Sequence, residues 1–394
     1  IAGVPMMAVN ENGENIGWLH TVIESGSTRM SSAYIAVIFG AWLGRMMNSS
    51  GVTESIITKA AELGGDRPIL ITIRLTIVTA LLFTTLAGLG SIIMVGSIVL
   101  PILVTVGIPA ISAASIFLMA FATGLTFNLS NWQTYSSIFN VDVNVIRSFS
   151  MYLFVLTLIA TIILIIVEFK KNGIKFAFSA PIEENYSKEL KGIRGVLAML
   201  TPIIPIVLVA IFDFPIVSAF IAGIIWISIF TFDGWNKTIN MITKSCYDGF
   251  SDSAPAVILM VGIGMLFLSV TNATVMEVLN PIISIITPKS KMGYIFIFIL
   301  LAPLALYRGP FNLFGLGSGI AALMIGLDVL PLLAIVAAFL SVERIQAVGD
   351  PTNTQNVWTA NYVGVEVNTI TKKLIPYLWA ITAIGILIAA SLYF

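Results

Sequence analysis

The chain of 394 residues is 58% hydrophobic and 10% charged, with 20 Lys+Arg against 20 Asp+Glu, which is far more apolar than a soluble domain. That balance implies no basic or acidic partner and no nucleic acid, while one cysteine (Cys246) and one histidine (His20) exclude an intrachain disulfide and a Cys/His metal cluster. Several runs, among them Met151–Val167, Val196–Ile211, Ile216–Phe230 and Leu374–Phe394, reach or approach the roughly 20 residues that cross a bilayer as a helix. The expected fold class is an all-α polytopic membrane protein.

Ile1–Val9 reads as the last turns of a helix, followed by a polar loop from Asn10 to Met30. Ser32–Met47 is a spanning helix, and Val52–Leu63, with Glu54, Lys59 and Glu62, has the mixed character of a helix lying in the interface. The turn Gly64-Gly65-Asp66-Arg67-Pro68 opens an apolar arm, Ile69–Ala87, which Gly88-Leu89-Gly90-Ser91 interrupts before it resumes to Val106. Two apolar arms around such a break predict a re-entrant hairpin, because irregular backbone at membrane depth must line a cavity or be buried in protein. Pro109 starts a helix that breaks at Asn128–Gln133; a half-helix to Ile146 and a span to Glu168 follow. After a charged loop, Lys170–Arg194, come spans Val196–Ile211 and Pro215–Phe232, a loop Asp233–Asp252, a span Ser253–Leu268 and a second interfacial stretch, Ala273–Pro288. From Gly293 an apolar run breaks at Tyr307–Asn312 and returns to Leu327. Pro331 starts a helix that breaks at Ser341–Gln355, and the last span ends at Phe394.

This order occurs twice, and matched residues share nearly one offset: Pro109 with Pro331, Asn131 with Asn353, Gln133 with Gln355, and Val141-Asp142-Val143-Asn144 with Val365-Glu366-Val367-Asn368. The first copy lacks a counterpart of Val196–Phe220, which predicts at least one helix N-terminal of Ile1. Lys and Arg concentrate in the inter-repeat loop 169–195 and on the side of Arg45, Lys59, Lys237 and Lys372, while Arg29, Arg147, Lys289 and Lys291 fall on the other. The loop is therefore expected in the cytoplasm, under an inner (plasma) membrane, with the C-terminus outside. Five crossings per copy make the repeats inverted, and paired polar breaks in inverted repeats point to a transporter's binding site.

Carbonyls and hydroxyls at the end of one half-helix suit Na⁺, and the positive N-terminus of the next suits a carboxylate. The substrate-binding candidates are Ser130, Asn131, Gln133, Thr352, Asn353, Thr354 and Gln355, joined by Arg308 and Asn312 at the second hairpin turn. A charge at the centre of a membrane helix costs about 2.5–3.5 kcal/mol or more unless paired or wetted. An anionic substrate would pair with Arg308; so would Glu343, Asp350 or a lipid phosphate. The cation-coupling candidates are Gly90, Ser91, Asn128, Asn131, Asp350 and Asn353, with Na⁺ placed at Asn131 and Asn353. Asp350, before Pro351, suits a capping role equally well, and the adjacent Glu343 and Arg344 suit mutual neutralisation. All these polar residues would also serve simply to pin broken helices.

With a hairpin and an interrupted helix in each repeat, and Ser130-Asn131-Trp132 and Thr352-Asn353-Thr354 at the breaks, the chain resembles the ion transporter superfamily. That superfamily includes divalent-anion/Na⁺ symporters and citrate, gluconate and C4-dicarboxylate carriers. The hairpin turns Gly88-Leu89-Gly90-Ser91 and Arg308-Gly309-Pro310-Phe311-Asn312 lack the Ser-Asn-Thr triplet such families place there. The resemblance implies an elevator mechanism in a homodimer. Residues 69–168 and 293–394 would form the transport domain, 1–68 and 196–292 the scaffold, and 169–195 the loop between repeats. The expected function is secondary transport of a small organic anion, a di- or tricarboxylate or a sugar acid, coupled to Na⁺ or H⁺. Na⁺/H⁺ antiport on the same scaffold is the alternative and would need a core carboxylate, Asp350 or Glu343. No nucleophile motif, His-based dyad or phosphate loop points to an enzyme or an ATP-driven pump. The expected partners are the anion, membrane lipids and a second copy of the chain, with Na⁺ as coupling ion and no other cofactor.

Overall fold

The structure, a computed structural model, describes residues 7–9, 15–17, 19–65, 67–174, 190, 192–288 and 290–394. Residues 1–6, the loop residues 10–14 and 18, most of the inter-repeat loop, Asp66 and Lys289 lie outside the described set. At the start, β1 (Met7–Val9) pairs antiparallel with β2 (Asn15–Gly17) where a helix end was expected. So short a segment cannot repay helix nucleation, whereas two strands close their backbone hydrogen bonds on each other.

A π-turn at Leu19–Glu24 and α1 (Ser25–Thr28) lead into α2 (Ser31–Ser49). The stretch expected in the interface is α3 (Val52–Glu62), and it is buried at Val52, Ile56, Ile57, Ala60 and Ala61 against α2 and the next two helices. Its apolar positions recur at helical spacing and meet protein. Helices α4 (Pro68–Phe83) and α5 (Leu89–Thr105) are the arms of the first hairpin. The first broken helix is α6 (Ala110–Leu125) with α7 (Leu129–Phe139), and α8 (Val143–Asn172) follows. Pro68 in the first turn of α4, and Pro109 at the cap of α6, sit where a helix needs no N–H and benefits from a fixed φ.

Where one span was expected at Val196–Ile211, α9 (Gly192–Met199) and α10 (Ile203–Phe212) meet at a 53° bend, consistent with Pro202 and its missing N–H at the joint. After α11 (Ile216–Phe230), α12 (Trp235–Val270) absorbs nearly all of the expected loop Asp233–Asp252. That stretch is polar but carries no cluster of helix breakers, and Asp233 pairs with Lys237 one turn on (2.9 Å). The chain continues with α13 (Ala273–Ile286) and α14 (Lys291–Leu301), which passes into a 3₁₀ turn, Ala302–Arg308. It closes with α15 (Gly317–Gly326), α16 (Leu332–Gly349), α17 (Thr354–Val363) and α18 (Val367–Tyr393).

Both breaks are shorter than expected. Only Thr126–Asn128 and Asp350–Asn353 are unwound; Ser130–Gln133 are helical, as are Ser341–Gly349 with Glu343 and Arg344. Asn128 and Asn353 are the N-cap residues of α7 and α17, so the polar residues after Asn128 begin a helix rather than interrupt one. Capping thus pairs Asn128 with Asn353 and places Asn131 one turn inside α7.

The two hairpins and the two broken helices interlock. The first arm of each hairpin packs on its own broken helix, α4 on α6 and the 302–308 turn on α16. The second arm packs on the half-helix after the other break, α5 on α17 and α15 on α7. Between them, α16 and α17 form the centre: 89% of their most apolar window is buried, against 28% in α12. Outward along α8 runs an exposed stripe, Met151, Val155, Ile159, Ile162 and Ile166, at the spacing of one helical face turned to lipid. Among the described residues seven helices are long and apolar enough to cross a membrane, or up to nine if each bent pair is one span. The chain is a multi-pass membrane protein.

Candidate functional site

Both breaks and both hairpin turns converge on one open cavity of about 380 Å³. Asn128 and Asn131 reach it from the first break, Gly88 and Leu89 from the first turn, Arg308 and Phe314 from the second turn, and Asn353, Thr354 and Gln355 from the second break. Glu343 and Gln346 line it from α16, and Asp252, Pro255 and Leu259 close it from α12.

Asn128 ties the first turn to the first break. Its Oδ1 accepts from the Asn131 amide (3.0 Å), and its Nδ2 donates to the carbonyls of Phe83 (2.9 Å) and Leu86 (3.0 Å), left without helical partners at the end of α4. The second break uses a carboxylate instead. Asp350 is fully buried; its Oδ1 accepts from the amide (2.9 Å) and hydroxyl (2.7 Å) of Thr352, and its Oδ2 from the Arg308 amide and Asn312 Nδ2, both at 3.1 Å. Those bonds hold a turn in which Tyr307 and Arg308 both take positive φ, at 55° and 57°, a conformation non-glycine residues keep only when the surroundings enforce it. Asn312 completes the turn, donating to Ala305 O (3.0 Å) and accepting from Phe314 N (2.9 Å). Gln346 Oε1 accepts from Leu313 N (2.6 Å).

The carbonyls at the end of α16 are taken up by side-chain amides. Asn353 Nδ2 donates to Gln346 O (2.6 Å) and Ala347 O (3.2 Å), Gln355 Nε2 to Ala347 O (2.8 Å), and Asn356 Nδ2 to Val348 O (2.8 Å) and Asp350 O (2.9 Å). The start of α17 is different: Asn353 gives it no side-chain cap, and its first residues, Thr354 and Gln355, face the cavity. Beside them, the Arg308 guanidinium has one hydrogen bond, Nη1 to Phe314 O (3.3 Å), and no ion pair among the described residues. Its backbone, not its side chain, binds Asp350, and it pairs with neither Glu343 nor Asp350. A helix N-terminus beside a guanidinium with four free donors is suited to a carboxylate.

Other candidates point elsewhere. Ser130 Oγ donates to Ala36 O (3.1 Å) in α2, and Gln133 lines a separate cavity of about 390 Å³ with Asp142 and Asp213. Side chains on successive helical residues diverge, so the Ser-Asn-Trp-Gln run is dispersed rather than focused. Ser91 is buried and donates to Ala87 O (3.0 Å). Gly90 lies against the bidentate pair Arg45–Asp252, both bonds 2.6 Å, where an added Cβ would come within 2.6 Å of Asp252 Oδ2. Asn312, Thr352 and Asp350 hold backbone and do not line the cavity. Two polar lining residues carry no assignment from sequence: Gln346, whose signal is a lone polar residue in an apolar helix, and Asp252, at the edge of what reads as a loop.

No protein-family model matches the chain, and no curated protein matches it. In structure it is similar to the Alcanivorax borkumensis YdaH transporter, described as having an unusual topology, with a TM-score of 0.61 over 98% of this chain and 93% of that one, at 12% identity. The fold is therefore one that a membrane transporter uses. The likeness is to that transporter and does not bring in the divalent-anion/Na⁺ symporter superfamily suggested by the residues at the breaks.

Proposed function

We propose that the chain is a secondary active transporter of a small organic anion, a di- or tricarboxylate or a sugar acid, coupled to Na⁺ or H⁺. One observation carries this reading: Arg308, without an ion pair among the described residues, and the uncapped start of α17 share a cavity of about 380 Å³ with both breaks, a volume in the small-molecule range. Asn131 and Asn353 are assigned as Na⁺ ligands, with Gly90, Ser91, Asn128 and Asp350 supporting the same cation-coupled arrangement by holding the turns. Cation binding orders turns and breaks, the anion site forms on the ordered frame, and each ligand raises the affinity of the other by linkage.

The cavity wall combines segments of 69–168 and 293–394 with α12 of 196–292. That arrangement suits a moving transport domain against a static scaffold; the homodimer, the inner (plasma) membrane, the cytoplasmic loop 169–195 and the outside C-terminus are carried into the proposal from the sequence. Na⁺/H⁺ antiport on the same scaffold is kept as a second reading because Glu343 lines the cavity. The test is thermal unfolding of purified protein with succinate, citrate and gluconate, each with and without Na⁺. A ligand at 100 times its Kd stabilises by about 2.7 kcal/mol, and stabilisation by at least one anion is expected. Proteoliposomes that exchange Na⁺ for H⁺ while no anion binds would replace this reading by antiport.

A further inference from the structure

The charged groups lining the cavity or directly behind it balance: Arg45, Arg308 and Arg344 against Asp252, Glu343 and Asp350. A carboxylate entering at Arg308 leaves one surplus negative charge in a site surrounded by apolar helices, where uncompensated charge is costly. The three carboxylates are not equally able to release it. Asp350 accepts four hydrogen bonds, and Asp252 is held bidentately by Arg45. Glu343 is 2% exposed, and among the described residues its one charged partner is Arg344, its neighbour in sequence, whose Nη2 meets its Oε2. Arg344 is also engaged elsewhere, donating from Nη1 to Ala122 O (3.2 Å) in the last turn of α6, where a cation complements the helix dipole.

We propose that Glu343 is the coupling carboxylate: the single coupling cation, H⁺ on Glu343 itself or Na⁺ held in the same cavity with Asn131 and Asn353, balances the carboxylate at Arg308, so that a monocarboxylate crosses electroneutrally. The inference rests on the anion-transport reading and deepens it. For the proton, the step is addition of H⁺ from water to the Glu343 carboxylate on loading and its return to water on release. The other ionisable groups at or behind the cavity are Arg344 on its own helix, Tyr135 on α7, near Arg344 and with no hydrogen bond to its buried hydroxyl among the described residues, Arg308 on the second turn with Asp350 behind it, and the Arg45–Asp252 pair on α2 and α12. Glu343→Gln carries the neutral form permanently.

The test measures binding of gluconate, succinate and citrate by isothermal calorimetry, across pH without Na⁺ and across Na⁺ at fixed pH. In the wild type, affinity should rise about tenfold per pH unit of acidification or per decade of Na⁺, whichever ion is used, and in E343Q it should depend on neither. E343D, which keeps the charge, should keep the dependence. Binding by E343Q with an unchanged cation dependence overturns the role of Glu343 and leaves the transport reading standing. Failure of all three anions to bind the wild type overturns both. Should E343Q fail to insert, gluconate uptake by wild-type proteoliposomes decides: uptake indifferent to an imposed K⁺ diffusion potential supports the proposal, and uptake driven several-fold by that potential overturns it.

Discussion

At the first break α6 and α7 meet at 61°, and a neutral amide, Asn128, caps α7 and holds the end of α4. At the second, α16 and α17 run on as one 32-residue span, the start of α17 is left without a side-chain cap, and a buried carboxylate, Asp350, holds the hairpin turn. Each break performs the same mechanical task, fastening its own hairpin turn to its own broken helix. The first does so without charge, whereas the second surrounds its helix start with Arg308, Glu343 and Asp350. The two breaks thus carry unequal chemistry, and under the proposed function anion recognition leans on the second.

The most disruptive way to probe that difference is to remove the two fasteners. Asp350→Ala leaves buried donors on Arg308, Asn312 and Thr352 unmet, and thermal unfolding should show a loss of about 3 kcal/mol or more. Asn128→Ala should cost about 1–2 kcal/mol. Equal losses would erase the distinction between the breaks. Next, Arg308→Ala should weaken anion binding about 10- to 100-fold, as expected for about 1.5–3 kcal/mol of charged hydrogen bonding, with expression maintained. Undiminished binding in calorimetry would make Arg308 a structural cation. A finer comparison sets Asn131→Ala beside Asn353→Ala. Both should abolish uptake, but only the second should also lower stability, by about 1 kcal/mol, because only the Asn353 side chain holds carbonyls of α16. The smallest effect is expected from Gln133→Ala, which lines the other cavity: anion affinity should stay within about 0.5 kcal/mol of wild type, and a larger loss would bring the first break back into the substrate site.

Much of the backbone was legible in the chain. Pro68, Pro109 and Pro331 mark helix starts, and Gly173 and Gly364 close α8 and α17 in the left-handed conformation, because these positions depend on local dihedral preference. The breaks were found but placed about one turn too late at the first and stretched too far back at the second. Asn, Ser and Gln next to an N-cap look the same in sequence whether they start a helix or unwind one. Polarity misled at 233–252, where α12 is continuous through Gly249 and Pro255, and with that helix went Asp252 and one wall of the cavity.

The sequence by itself determined that this is a multi-pass helical membrane protein, since apolar run length and the placement of proline and glycine are local properties. Which polar side chains share a cavity was decided only by tertiary structure. Direction changes by about 100° from one helical residue to the next, so Asn131 faces the site while Ser130 and Gln133 do not. Asp350 is enclosed by a turn far from it in sequence, and that enclosure, more than composition, leaves Arg308, Glu343 and the Arg45-paired Asp252 as the charged residues lining the cavity.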